Sequence, residues 1–239
     1  LKTCWDEQRS YREAAFWTDA PFLTRDAAEW LREARGRTLY VRDPVTVIAC
    51  DPARFGDDET VIMALENSEL LEEPTVMGKS PSTQISGAMN QLRLKYDCWC
   101  SVETTFMPGV ADELKSYKAN VIEFNPSAKP DLMFEEQYSN LRAQAWGEAG
   151  KKFCEGKIQC HNMYEKLEEQ LMAPTYYFRT GKTAIEKKED IKKRLIVSPD
   201  HGDTYVQGLW AIEKTPDMSS VDWYKSRRNK RRKKRNAMA

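Results

Sequence analysis

The chain has 239 residues, with 37 Lys and Arg against 37 Asp and Glu, 41% hydrophobic and 10% aromatic residues, a makeup that fits one globular core with at most a small appendage and excludes two ordinary enzyme domains. No window approaches the roughly 18 apolar residues of a membrane span, and the sequence reads as lacking a secretory signal. The zero net charge hides an asymmetry: residues 225–239 carry nine of the cations and no acid, leaving residues 1–224 at −9, so contact with a polyanion is expected of the tail rather than of the acidic body.

In chain order, residues 1–40 read as a lead-in. The first residue is Leu rather than Met, and the expectation is a fragment of a longer polypeptide. Thr24 or Asp26 can cap a helix that runs to about Arg35 and ends at Gly36, with Ala27, Trp30, Leu31 and Ala34 on one stripe that packs outside the main sheet. Val45–Cys50 is β-branched and apolar, the pattern of a central strand buried on both faces. It runs straight into Asp51. A carboxylate delivered by a buried strand costs several kcal/mol unless compensated, and a divalent cation is a common compensation. The following loop adds Asp57, Asp58 and Glu59, Gly56 permits the reversal, and Thr60–Leu65 returns as a second strand.

Residues 66–73 read as a turn, Thr75–Met77 as a short strand, and Ser80-Pro81-Ser82 as the start of a helix to about Tyr96 with Ile85, Met89, Leu92 and Tyr96 inward. Cys98–Val102 is the next strand, and Glu103 at its end repeats the pattern of Asp51. A loop containing Phe106 and Met107, expected to be exposed, leads to a helix over 109–117 and a strand over 120–124. Strand, helix, strand, helix, strand after an antiparallel hairpin is a mixed α/β sheet, whose chemistry gathers beyond the strand ends.

Downstream, 134–153 reads as an amphipathic helix with Tyr138, Leu141, Ala145 and Trp146 buried, and 165–172 as another with Leu167 and Leu171. Thr175–Phe178 reads as a strand, and 184–194 is highly charged. Thr180-Gly181-Lys182-Thr183 ends like a phosphate-binding loop, but Tyr176 stands where that loop needs its first Gly, so no nucleotide site is expected. Ser198-Pro199-Asp200-His201-Gly202-Asp203 opens a helix to about Ala211, with Asp200 at or near the cap and Asp203 on the same face.

The six cysteines and two histidines offer no zinc spacing, and reduced thiols in an intracellular compartment are expected. Three segments therefore offer carboxylates: Asp51, Glu103, and Asp203 with Asp200. Oxygen ligands without His or Cys suit Mg²⁺ or Mn²⁺, and two such ions about 4 Å apart stabilise in-line attack on a phosphodiester.

VTVIACDPARFGDDETVI, VETTFMPGVADEL, YSNLRAQAW, GKIQC and IEKKEDIKKRLIVSPDHGDTYVQGLWA together resemble the C-terminal nuclease domain of the phage terminase large subunit. The resemblance spans about Val45 to Ala211, its most specific parts being D-P-A-x-x-G-D-D and S-P-D-x-x-D. It implies an RNase H-like fold, a mixed sheet with antiparallel first strands and helices on both faces. It divides the chain into a lead-in (1–40), a nuclease domain (41–215) and a basic tail (216–239). It also implies hydrolysis of concatemeric double-stranded DNA during genome packaging with two Mg²⁺ or Mn²⁺ ions and no nucleotide. Carried over, Asp51 is the bridging ligand, Glu103 the second-strand ligand and Asp203 the helix-borne ligand, with Asp200 the alternative. Asp57 or Asp58 would assist a metal through water, and Lys187, Lys192 or Lys193 would neutralise a phosphate.

Two departures, Phe106-Met107-Pro108 before Gly109 and Thr204 after the third acid, touch the loop shape and remove no ligand. The partners implied are an N-terminal ATPase domain, a small terminase subunit and a portal, with no membrane, in the cytoplasm of an infected host cell. The tail cations Lys225, Arg227, Arg228, Lys230, Arg231, Arg232, Lys233, Lys234 and Arg235 are expected to be disordered in isolation and to contact DNA. The competing readings are a non-catalytic docking module for portal or capsid on the same fold, and a resolvase or transposase nuclease.

Overall fold

The computed structural model describes residues 17–21, 27–53, 58–195 and 198–216. In chain order its elements are β1 (Trp17–Pro21), α1 (Ala27–Gly36), β2 (Thr46–Asp51), β3 (Thr60–Glu66), β4 (Glu69–Leu70), β5 (Thr75–Met77), α2 (Ser82–Tyr96), β6 (Trp99–Glu103), α3 (Pro108–Ser116) and β7 (Val121–Phe124). A 3-10 turn (Leu132–Phe134), α4 (Leu141–Cys154), α5 (Glu165–Met172), β8 (Thr175–Arg179), β9 (Lys182–Ile185), α6 (Lys188–Leu195) and α7 (Asp200–Lys214) complete it.

The main sheet runs β4-β3-β2-β6-β7, with β5 also pairing β3. β3 lies antiparallel to β2, whereas β6 runs parallel to β2 and β7 parallel to β6. Side chains alternate along a strand, so β2 serves two cores at once. Ile48 and Cys50, with Ile62, Ala64, Cys100 and Val102, pack beneath α2 and α3 through Ile85, Met89, Val110, Ala111 and Leu114. Val47 and Ala49, with Val61, Met63 and Leu65, face the other way and belong to the core that α7, α4, α5 and α1 cover. Helix α7 lies close on this face. A Cβ on Gly208 would stand 2.7 Å from Leu65 Cδ1 and 3.3 Å from Ala49 Cβ, so a side chain there would force Leu65 or the helix to shift.

Several expectations change in the folded chain. The described part of the lead-in packs into the fold: β1 pairs antiparallel with β8, and Leu31 and Ala34 of α1 are fully buried. α1 packs on α4 and α5 rather than on the sheet, with the Cys160 N–H donating to the Ala34 carbonyl. The turn after β3 contains the short strand β4. The long helix expected over 134–153 begins only at Leu141, because the Asn140 side chain accepts from the Ala143 N–H as an N-cap while Tyr138 bridges to Thr183 of β9. Thr180 and Gly181, both at positive φ, form the two-residue turn of the β8–β9 hairpin.

Among the described residues Cys50, Cys98, Cys100 and Cys160 are thiols outside any disulfide. Among the described residues no helix is long and apolar enough to cross a membrane. Asp57 and the tail cations from Lys225 to Arg235 lie outside the described residues.

Candidate active site

β2 and β6 run parallel and in register, Cys50 opposite Val102, so the next residues, Asp51 and Glu103, emerge side by side at the same sheet end. Asp51 shares the face of Val47 and Ala49, the face covered by α7. Ser101, two residues before Glu103, accepts a hydrogen bond from Gln207 of α7 at 3.0 Å, and the same amide donates to the Cys50 carbonyl at 3.3 Å. The first turn of α7 brings Asp200 and Asp203 to this end. Asp200 is the first helical residue, next to the cap as expected, and Pro199 at the cap position supplies no side-chain bond. Gln170 of α5 caps the helix instead, its side-chain oxygen accepting from the N–H groups of His201 (2.7 Å) and Gly202 (3.2 Å). A Cβ on Gly202 would stand 3.0 Å from the Gln170 backbone carbonyl oxygen, so a side chain there would press α5 and α7 a few tenths of an ångström apart.

Asp51, Glu103, Asp200 and Asp203 line one cleft of about 490 Å³, together with Asp58, Glu59, Thr105, Phe106, Arg142, Lys187, Lys188, Lys192 and Gln207. Asp51, Glu103 and Asp200 are buried. The Lys188 ammonium stands among the acids, 2.5 Å from Asp51 Oδ2, 3.3 Å from Asp203 Oδ2 and 3.4 Å from Asp200 Oδ1. Asp203 is clamped from behind. Arg142 donates to both its oxygens, at 2.9 and 3.2 Å, and the Trp146 indole N–H donates at 2.8 Å. Asp200 has neutral partners besides Lys188: the Ser198 hydroxyl donates at 2.6 Å and the Glu59 N–H at 3.2 Å. Glu103 accepts from the Thr105 N–H at 2.6 Å. At the mouth, Asp58 pairs with Lys192 at 2.8 Å.

Charge follows from this packing. Burial raises the Asp51 pKa, Lys188 opposes the rise, and the charges of Asp200, Asp203 and Glu103 add to it, leaving Asp51 at about 7. Burial pushes Asp203 the same way, but Arg142, Lys188 and the Trp146 bond together hold it below the ordinary aspartate value. For Lys188, burial favours the neutral amine, and the attraction of Asp51, Asp203 and Asp200 overrides it, keeping the ammonium well above the usual lysine range. Burial holds the His201 imidazole below its ordinary value.

Chemically the cleft offers hard oxygen donors, which suit a divalent cation. Among the described residues no three His, Cys, Asp or Glu are drawn together as a finished metal cage. Lys188 holds the central cationic place. The donor chemistry thus fits a divalent ion that exchanges with the lysine for the acids. Of the lysines expected to meet a phosphate, Lys187 and Lys192 line the cleft, while Lys193 is 77% exposed and pairs with Asp190. Phe106 lies at the cleft and is 58% exposed, whereas Met107, expected beside it, packs against the core beneath α2 and α3. Sequence reasoning does not reach Lys188, Arg142, Trp146 or Gln170 as site residues. Lys188 is one cation in a charged run and Arg142 one polar position on an amphipathic helix, with no local mark of either role.

The architecture, an antiparallel pair followed by parallel strands with helices on both faces and acids at the ends of the first and later strands, is RNase H-like. No family model and no curated protein matches the chain. Among solved structures it is similar to the nuclease domain of the large terminase subunit gp2 of bacterial virus Sf6, determined with manganese and beta-thujaplicinol. That pair shares 14% identity over 79% of this chain and 98% of the other, with a TM-score of 0.65. It is also similar to the large terminase nuclease from thermophilic phage G20c with bound magnesium (13% identity, 72% and 83% covered, TM-score 0.53). The Thermus phage P74-26 large terminase nuclease domain is a third (13%, 71% and 80%, TM-score 0.51). The fold is that of phage large terminase nuclease domains, as the sequence resemblance implied.

Proposed function

We propose that this chain is a divalent-metal-dependent DNA endonuclease domain of a viral genome-packaging terminase. The observation that carries the reading is the convergence of Asp51, Glu103, Asp200 and Asp203 from two parallel strand ends and one helix start onto a single cleft. Asp51, Glu103 and a helix-borne aspartate would hold Mg²⁺ or Mn²⁺, two ions in the full reading. The grip of Arg142 and Trp146 on Asp203 favours Asp200 as the group whose charge still awaits a cation, since the other partners of Asp200, apart from Lys188, are neutral. Bound ions supply activation of water and stabilisation of the leaving oxygen. The protein's own part is to fix the acids on rigid elements and to present Lys187 and Lys192 to the phosphate backbone. Asp58 would assist through water, and Asp57 keeps that role as an expectation from the sequence. The substrate would be concatemeric double-stranded DNA in the host cytoplasm, with an ATPase domain, a small subunit and a portal as partners.

A docking module on the same fold is the second reading, favoured by Lys188, which already neutralises part of the acidic cluster. Nicking of supercoiled plasmid separates the two. Cleavage with Mn²⁺ or Mg²⁺, its loss in EDTA and its loss in Asp51→Asn are expected. Asp200→Asn and Asp203→Asn, run alongside, assign the helix-borne ligand. Wild-type rates in Asp51→Asn, in a preparation free of contaminating nuclease, would remove the enzyme reading.

A further inference from the structure

The acidic loop after β2 returns to the sheet at Glu59, and this return point is tied to two helices. Lys166 of α5 donates to Glu59 Oε2 at 2.5 Å, and His201 Nε2 lies 3.2 Å from the same oxygen. On the other side of the imidazole, Nδ1 is 2.5 Å from the hydroxyl of Tyr164, the residue that precedes α5. A carboxylate can only accept, so Nε2 carries the hydrogen, and in the neutral ring Nδ1 accepts from the Tyr164 O–H. The ring also sits edge-on to Tyr164, with centroids 5.6 Å apart. The consequence reaches the cleft through the backbone: the N–H of Glu59 is the donor to Asp200 Oδ2.

We propose that His201 is a positioning residue, which clasps Glu59, just before β3, to α5 and so fixes the carboxylate plane of Asp200 for a divalent cation. His201 touches neither cation nor DNA. It sits next to Asp200 on α7, so one turn of helix carries both the acid and the group that sets its partner. The hydrogen-bond path runs from Tyr164 through His201 to Glu59 and on to Asp200, without a gap longer than 3.2 Å. The Glu59 N–H is the direct partner of Asp200, a kind of contact whose loss typically changes metal affinity or activity by 10–100-fold, and His201 acts one step further out, so the low end of that range is expected of it. The proposal rests on the metal-dependent reading above for its function, but its geometry stands in the metal-free protein.

The test uses the whole chain with His201→Phe, which keeps a ring against Tyr164 and removes both polar contacts, His201→Gln, which keeps a donor toward Glu59, and Tyr164→Phe. Two readouts need no catalysis: hydrogen exchange of the Glu59 amide without metal, and Mn²⁺ affinity by electron paramagnetic resonance without DNA. His201→Phe is expected to speed exchange at Glu59 at least tenfold and to weaken Mn²⁺ about tenfold, with core amides of β2 unchanged. His201→Gln should recover most of both, and Tyr164→Phe should move both the same way by less. Unchanged Glu59 exchange in a folded His201→Phe overturns the clasp, as does a Gln variant no better than Phe. If His201→Phe fails to fold, Tyr164→Phe decides alone. If the wild type neither binds Mn²⁺ nor nicks DNA, the nuclease reading falls while the exchange measurement still judges the clasp.

Discussion

Asp51 carries a charge that the fold opposes. Its carboxyl is raised from an ordinary 3.8 to about 7 by burial and by Asp200, Asp203 and Glu103, against the pull of Lys188. The folded state therefore holds a proton that the unfolded chain releases at about pH 4, and stability falls as pH rises from about 4 to about 7. Asparagine at this place removes that cost and no packing. In EDTA, Asp51→Asn should melt with the wild type near pH 4 and above it at pH 8, by at least about 1 kcal/mol or roughly 2–4 °C. A melting difference that stays flat across this range would show that Lys188 compensates Asp51 fully. The positions of the acids were legible residue by residue, Asp51 and Glu103 at the ends of apolar strand patterns and Asp200 and Asp203 at the start of a helix pattern. Lys188 and Arg142 were not, since a cation acquires its meaning only from the carboxylates that surround it.

Elements deliver the acids, and helix α7 delivers two. Its height above the sheet depends on Gly208, where a side chain would meet Leu65 and Ala49. Gly208→Ala should lift or tilt the helix, cost about 1–3 kcal/mol in denaturant unfolding, and lower nicking at equal folded protein, because Asp200 and Asp203 move with the helix while Asp51 does not. A stable variant with wild-type cleavage would mean that Leu65 simply changes rotamer. Strand and helix types over β2, β3, α2, β6 and α3 follow from local periodicity and were expected within a residue or two. The start of α4 was not. Amphipathic spacing continues back to Phe134, and what sets the start of the helix is a cap by Asn140 and a bridge from Tyr138 to Thr183, 45 residues downstream. Short-range pattern cannot register a competing partner that far away.

At the scale of the molecule, charge is divided between an acidic body and a basic end, nine cations within residues 225–239. Each phosphate neutralised adds about −0.9 to the slope of log K against log salt. Removing residues 225–239 should flatten that slope by several units in DNA binding measured with Ca²⁺ in place of the active ion. An unchanged slope would take DNA off the list of tail partners and leave Lys187 and Lys192 to hold the duplex. The succession of strands and helices, the antiparallel start and the acids at two strand ends were read from the sequence, because hydrophobic alternation and strand-end acids are local signals that chain order preserves. The tertiary structure alone decided that the lead-in strand β1 joins β8, that α1 covers helices rather than the sheet, and that Lys188 stands among Asp51, Asp200 and Asp203. Those facts depend on which distant surfaces meet. The choice is made by packing and by the cost of leaving buried charge unpaired, and neither is written in the spacing of residues along the chain.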